Sequence, residues 1–357
     1  MPSHSDNLQK QHPQSATIHS TVGIVGAGAI GCFLGAILSQ HHTISVHLYG
    51  RETLAQELAT FGLTASFSQQ LVTVNAPIFF TSMVNLIDSD VVLLTVKATS
   101  LPHLIPQLKK LIRPDVPVIA FQNGVGIRMM LENELPNPIY RAIVPFNVVK
   151  ESAGLFSMAS GGDLVWPQSP DRRLQFLAAV LSEHQLPITC ATDMEAIEYG
   201  KLLLNLNNAL NAISGLPLQQ QLQNRELRQV LAAAMQEWLN VCKVLQIVPA
   251  SLTRLPNFLI PQLLKLPTPL FKLVASQMLR IDPHARSSMW DDIQAGRRTE
   301  VMYLNGAVER LGIQTGVATP VNSAIVEFIK HLEQGEKVVL SPEQLKQHLC
   351  QSLASKR

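Results

Sequence analysis

The segment Thr21-Val-Gly-Ile-Val25-Gly26-Ala27-Gly28-Ala29-Ile30-Gly31 joins a β-branched apolar run to three glycines spaced two and then three residues apart. Cys32–Ser39 continues the run with helical periodicity. A strand, a glycine turn and a helix in that order form a dinucleotide fingerprint. The first glycine makes the tight turn, and the second lets the backbone approach a pyrophosphate. The third brings the helix onto the sheet, so that its N-terminus faces the phosphates. Gly26, Ala27, Gly28, Ala29, Ile30 and Gly31 are therefore candidate cofactor-binding residues. A glycine-rich packing turn with no nucleotide is the alternative.

The end of the next strand indicates which dinucleotide. NAD sites usually place an acid there, about 20 residues on, to hold the ribose hydroxyls. Here Ser45–Tyr49 runs into Gly50-Arg51, with no acid before Glu52. A cation suits a 2′-phosphate, which favours NADP over NAD. Arg51 as an ordinary solvated residue at a helix start is the other reading.

Further strands are expected at Val91–Val96, Val118–Phe121 and Ile139–Val144, alternating with helical patterns. This predicts an α/β N-terminal domain with a Rossmann-like, doubly wound parallel sheet. Two of these strands end in polar residues, Lys97 and Gln122-Asn123-Gly124-Val-Gly126. Ligands of open α/β sheets lie outside the carboxyl ends of the strands, where Lys97 and Asn123 fall.

Length and composition narrow the class. A chain of 357 residues fits two domains better than one core. Residues 1–20 read as a disordered leader and 21–190 as the nucleotide domain. An all-α C-terminal domain follows over 191–335, then a tail over 336–357. Its strongest helical patterns are Glu195–Ile213, Leu227–Val244 and Ser288–Arg310. Prolines punctuate 249–284, which reads as a lid or packing arm; a basic membrane-surface segment is the alternative. A net charge of +2 gives no signal for nucleic acid. The four cysteines have no paired spacing, which argues against a disulfide framework or a metal site and suits a cytoplasmic protein. Thr21–Gly50 lacks charge, but its glycines argue against a signal peptide or membrane helix.

The second chemical signal is Lys201-Leu-Leu-Leu-Asn205-Leu-Asn207-Asn208-Ala-Leu-Asn211. Lys201, Asn205 and Asn208 share one helical stripe at i, i+4 and i+7, with leucines opposite. Each Asn gives up roughly 0.5 kcal/mol of helix propensity, so a ligand-facing stripe explains them better than solubility does. Hydride exchange with a carbonyl requires a group to protonate the developing alkoxide. Lys201, desolvated on an apolar helix at a domain junction, suits that role. A snorkelling surface lysine is the bland reading. Asn205 and Asn208 would hold substrate oxygens. Further on, Ser287-Ser288-Met-Trp-Asp291-Asp292 leads through Gly296 to Thr299-Glu300. Either serine could instead be a helix N-cap. A glycine inside a helix costs roughly 1 kcal/mol relative to Ala, which suggests that a backbone or ligand approaches Gly296 closely.

Taken in order, Gly26-x-Gly28-x-x-Gly31, Leu94-Thr-Val-Lys97, Gln122-Asn123-Gly124-x-Gly126, Lys201-Leu-x-x-Asn205 and Ser287-Ser288-Met-x-x-Asp292 leading to Thr299-Glu300 resemble the 2-dehydropantoate 2-reductase (ketopantoate reductase) family over about 21–330. The resemblance implies NADPH-dependent reduction of 2-dehydropantoate to pantoate, in pantothenate and coenzyme A synthesis. It makes Lys201 the general acid and Asn205, Asn208 and Ser288 the substrate ligands. Asn123 and Lys97 would lie between cofactor and substrate, Glu300 would hold the nicotinamide ribose, and Arg51 the 2′-phosphate. The partner is then a small-molecule 2-oxo acid, with no nucleic acid and no membrane, and a homodimer is left open. The chain departs from the pattern in four ways. The second amide follows Lys201 by seven residues where some members have eight, and Met302 stands where an acid often follows the glutamate. The 249–284 arm is longer than in compact members, and the leader is extra. These differences leave a reductase of another 2-oxo acid as the nearest rival; a non-enzymatic NADP-binding regulator is a second, but it predicts damage among Lys201, Asn205, Ser288 and Glu300, all of which are intact.

Overall fold

A computed structural model describes residues 20–276, 282–336 and 340–350. The leader before Ser20, residues 277–281 of the arm, and residues 337–339 and 351–357 of the tail lie outside the described residues.

The first half begins with β1 (Ser20–Val25), α1 (Ala29–Leu38), β2 (Ile44–Tyr49), α2 (Glu52–Phe61), β3 (Leu63–Phe67), β4 (Gln70–Val74) and β5 (Ile78–Phe80). It continues through β6 (Val91–Leu94), α3 (Leu101–Leu111), β7 (Val118–Ala120), α4 (Ile127–Glu134) and β8 (Ile139–Arg141). Six strands form one sheet in the order β5-β2-β1-β6-β7-β8, parallel throughout. The chain passes outward from β1 to β2, then returns to place β6 on the other side of β1. The topological switch point therefore lies between β1 and β6, and the glycine turn sits at its carboxyl end. Both faces of the central strands are covered, which is why Val91–Leu94 is continuously apolar and fully buried rather than alternating. This is the doubly wound Rossmann-like sheet expected from the sequence.

Strands β9 (Val148–Ser152), β10 (Leu155–Met158), β11 (Leu164–Pro167) and β12 (Ile188–Ala191), with α5 (Arg172–Glu183), complete this half. A second, mixed sheet, β4-β3-β10-β9, packs against α1, and β11 pairs with β12. The sequence reading had no place for either. The strands expected at 91–96, 118–121 and 139–144 are also shorter than the apolar runs that mark them.

From Met194 onward the described residues are helical. The helices are α6 (Met194–Ser214), α7 (Leu218–Gln223), α8 (Arg225–Leu245), α9 (Ile260–Lys265), α10 (Thr268–Val274), α11 (Ser288–Gln294), α12 (Asn305–Thr315), α13 (Pro320–Glu333) and α14 (Pro342–Cys350). Asp193 caps α6 by accepting from the Ala196 N–H at 2.9 Å, and α6 ends at Gly215 in the left-handed region. Leu202, Leu203, Leu206 and Leu210 are buried in the helical core, as the leucine stripe requires.

The arm packs on α8. Ile260, Leu264 and Phe271 are buried, and the Arg228 guanidinium donates to the carbonyls of Leu222, Leu264 and Leu266 at 2.9–3.0 Å. The continuous helix expected over Ser288–Arg310 does not form. Helix α11 stops at Gln294, an irregular stretch and a 3-10 turn at Val301–Tyr303 follow, and α12 restarts at Asn305. Gly296 has φ +62°, and a Cβ there would meet nothing within 4 Å. The glycine serves this left-handed turn and no other backbone comes close to it, so the backbone approach inferred for it is wrong. No described helix is long and apolar enough to cross a membrane.

Candidate active site

The helical half meets the sheet at the carboxyl ends of three adjacent strands. Just beyond β6, the Lys97 ammonium pairs with the Asp292 carboxylate of α11, and the Ala98 N–H donates to Glu300 Oε1 at 2.9 Å. Beyond β7, Asn123 Nδ2 donates to Glu300 Oε2 at 3.5 Å. Beyond β8, Lys201 Nζ donates to the Val144 carbonyl at 2.7 Å. Residues more than 50 positions apart thus converge on one edge, the edge where open α/β sheets take ligands.

Lys201 is held well away from its ordinary protonation behaviour. Burial pushes the ammonium down to a pKa of about 8, and the Arg141 guanidinium pushes the same way. Glu300 and Glu198 oppose it. Arg141 is 2% exposed; it donates to the carbonyls of Ala120 and Gln122 at 2.8 and 2.6 Å and to Glu198 Oε1 at 2.7 Å. It ties the end of β7 to α6, one turn ahead of Lys201.

The asparagines divide into two groups. Asn207 Oδ1 accepts from Gln221 Nε2 at 2.7 Å. Asn211 is fully buried, donates to Leu216 O and Gln221 Oε1, and accepts from the Ser287 N–H. These two fasten α7 and α11 to α6. Asn205 and Asn208 are partly buried, and their side chains have no hydrogen-bond partner among the described residues, so their amides are available on the lysine stripe.

The two serines separate as well. Ser287 is the N-cap: its Oγ accepts from the Trp290 N–H at 3.2 Å and donates to the Asn208 carbonyl at 2.9 Å. Ser288, in the first turn, is exposed beside the same stretch of α6.

At the nucleotide turn, Thr95 Oγ1 donates to Gly26 O at 2.7 Å, and the N–H groups of Gly26 and Ala27 both donate to Tyr49 O. A Cβ on Gly31 would lie 2.3 Å from Gly26 O, whereas one on Gly28 would meet nothing closer than 4.0 Å. The third glycine is thus a packing glycine, and the second faces open space. Helix α1 begins there with no side-chain cap and no acid in its first turn, which leaves its N–H groups to a ligand. These residues fit a pyrophosphate. Arg51, at the end of β2, is exposed at the N-cap of α2.

Sequence reasoning missed Arg141, Glu198 and the Val144 carbonyl, and it gave Asp292 no role. The Lys97 ammonium pairs with Asp292, which Arg297 Nε also approaches at 2.9 Å.

A glycine-rich turn at a parallel sheet's switch point, with a lysine from a helical second half at the carboxyl end of the same sheet, is the arrangement of a Rossmann-type oxidoreductase. Comparison with known proteins makes the class specific. The family model for ketopantoate reductase PanE/ApbA matches residues 22–171, and the model for its C-terminal region matches 193–333. The chain belongs to the ketopantoate reductase family. It is 26% identical over 320 residues to the 2-dehydropantoate 2-reductase of Shigella flexneri, covering 87% of this chain and 95% of that one. A PanE/ApbA family ketopantoate reductase from Ralstonia eutropha JMP134 shares its fold, with a TM-score of 0.75 at 23% identity and coverage of 88% and 99%. D-mandelate dehydrogenase, solved with NADH and anilino(oxo)acetate, superposes with a TM-score of 0.70 at 25% identity, covering 88% and 99%.

Proposed function

We propose that this protein is an NADPH-dependent reductase of a 2-oxo acid, with 2-dehydropantoate reduced to (R)-pantoate for pantothenate and coenzyme A synthesis as the leading substrate. The observation that carries this reading is Lys201, whose pKa of about 8 keeps a protonated acid available near neutral pH at the junction of the two halves. Family membership supports the substrate. As part of the same reading, the cofactor domain ends near residue 190.

The turn from Gly26 to Gly31 and the N-terminus of α1 would hold the pyrophosphate, Arg51 the 2′-phosphate, and Glu300 the nicotinamide ribose. Bound there, a reduced nicotinamide supplies hydride to the ketone carbon. Asn205, Asn208 and Ser288 orient the 2-oxo acid through its oxygens, with Asn123 at the edge shared with the cofactor. As negative charge grows on the ketone oxygen, Lys201 Nζ releases the Val144 carbonyl and donates its proton, giving a hydroxyl. Arg141, by disfavouring the charged lysine, makes that donation easier. The pair formed by Lys97 and Asp292 links the sheet edge to α11 beside the site.

A second reading is reduction of a 2-oxo acid with a bulkier substituent, favoured by the likeness to D-mandelate dehydrogenase. The test is cofactor oxidation followed by absorbance, with NADPH and NADH, on 2-dehydropantoate and a panel of 2-oxo acids. Turnover of 2-dehydropantoate with NADPH supports the first reading. Activity only on other 2-oxo acids supports the second, and no turnover on any removes both.

A further inference from the structure

The arm between α8 and α11 leaves a cavity of about 660 Å³ over α6 and α8, within the size range of ligand pockets. The sequence accounts for it. Pro256, Pro261, Pro267 and Pro269 break the arm into short pieces, so no continuous helix lies flush on α8. The pieces are nevertheless fixed. Arg228 ties α8 to the carbonyls of Leu264 and Leu266, and Asn257 Nδ2 donates to the carbonyls of Pro249 and Ala250 at 2.9 and 3.1 Å. Among the described residues, the lining includes none of Lys201, Asn205, Asn208 and Ser288, so the cavity is separate from the candidate active site.

Its two ends differ in chemistry. At the inner end, Leu231 and Met235 of α8, Leu264 of α9 and Ala275 are 1–3% exposed. Water there would find few of the polar partners that hold a buried water in place. At the mouth, Arg254, Val274 and Ser276 are exposed. The Arg254 guanidinium has no hydrogen bond or ion pair among the described residues. No carboxylate is among the described lining residues, and none occurs in the sequence from Gln246 to Ile281. An apolar interior below an unpaired cation complements a ligand built in the opposite order, a hydrocarbon chain that ends in an anion.

We propose that this cavity is a binding site for a single-chain fatty acid, with the chain inserted between the arm and α8 and the carboxylate at Arg254. The ligand is not a substrate of the reaction described above, and the proposal stands independently of that reading. The proline-broken arm is then the element that builds the site.

The experiment is calorimetric titration of hexanoate, octanoate and decanoate, each below its micelle concentration, into the whole chain. A single molecule should bind per chain, and each added methylene should tighten binding about three- to fourfold. Arg254→Gln should weaken decanoate about tenfold or more, the loss of a charge-assisted contact, and leave decanol within about twofold. Val274→Glu, at an exposed rim position that spares the core, should cost decanoate a similar factor through like-charge repulsion and leave decanol within about twofold. Ala275→Leu fills the inner end and should flatten the dependence on chain length, with a thermal melt to check the fold. Affinity that ignores chain length, more than one molecule per chain, or undiminished decanoate binding in Arg254→Gln would each overturn the proposal. A second copy of the chain seated over the mouth would appear as an oligomer that Val274→Glu separates, with no uptake of decanoate, and would overturn it as well.

Discussion

Arg141 Nε donates to Glu198 Oε1 at 2.7 Å inside the protein, with Arg141 2% exposed, and Glu198 lies three residues before Lys201 on the same helix. The pair joins the sheet to α6 and sets two opposing charges beside the lysine. Breaking one side of a buried ion pair strands the other charge, at a cost of about 3–5 kcal/mol. Arg141→Met and Glu198→Gln are each expected to lose stability on that scale, measured by urea unfolding.

The same two substitutions should move the pH profile in opposite directions. Lys201 donates a proton, so reduction needs it charged, and the rate should fall as pH rises through about 8. Arg141 lowers the lysine's pKa, so Arg141→Met should shift that fall to higher pH. Glu198 raises it, so Glu198→Gln should shift it lower. A profile that stays in place in both variants would separate the lysine from the rate.

Gly28 and Gly31 are three residues apart but should respond differently. A side chain at Gly31 runs into the Gly26 carbonyl, so Gly31→Ala should damage folding. At Gly28 the space is open and φ is −95°, so Gly28→Val should melt normally and lose NADPH affinity by about tenfold or more. Thermal melts and a cofactor titration read both effects. Normal NADPH binding in Gly28→Val would place the pyrophosphate elsewhere.

Arg51→Ala should weaken NADPH by about 10- to 100-fold, the range of a lost charge-assisted contact, and leave NADH nearly unchanged. An unchanged preference for NADPH would refute the 2′-phosphate assignment.

The sequence showed most of what it could encode locally. Strand β1, its glycine turn and α1 are contiguous, and the strand ends at Lys97 and Asn123 follow from apolar runs. The sheet β4-β3-β10-β9 was not visible because its outer strands β4 and β9 are short and half exposed, and because the pairing that joins the β3–β4 and β9–β10 hairpins, β3 with β10, is non-local. The break after Gln294 was missed because a helix tolerates one glycine, so Gly296 did not reveal a left-handed turn. In the site, the lysine stripe was legible from helical spacing. The ties that hold it, from Arg141 to Glu198 and from Lys97 to Asp292, span 57 and 195 residues, and no local pattern marks them.

Lys201 as the proton donor is the centre of the proposed mechanism. The most direct measurement is single-turnover reduction of 2-dehydropantoate by NADPH-loaded Lys201→Ala. A general acid contributes about 10²- to 10⁴-fold, so the hydride-transfer rate should fall within that range while NADPH affinity stays within about twofold. A rate near that of the unaltered protein, with cofactor binding intact, would contradict the mechanism.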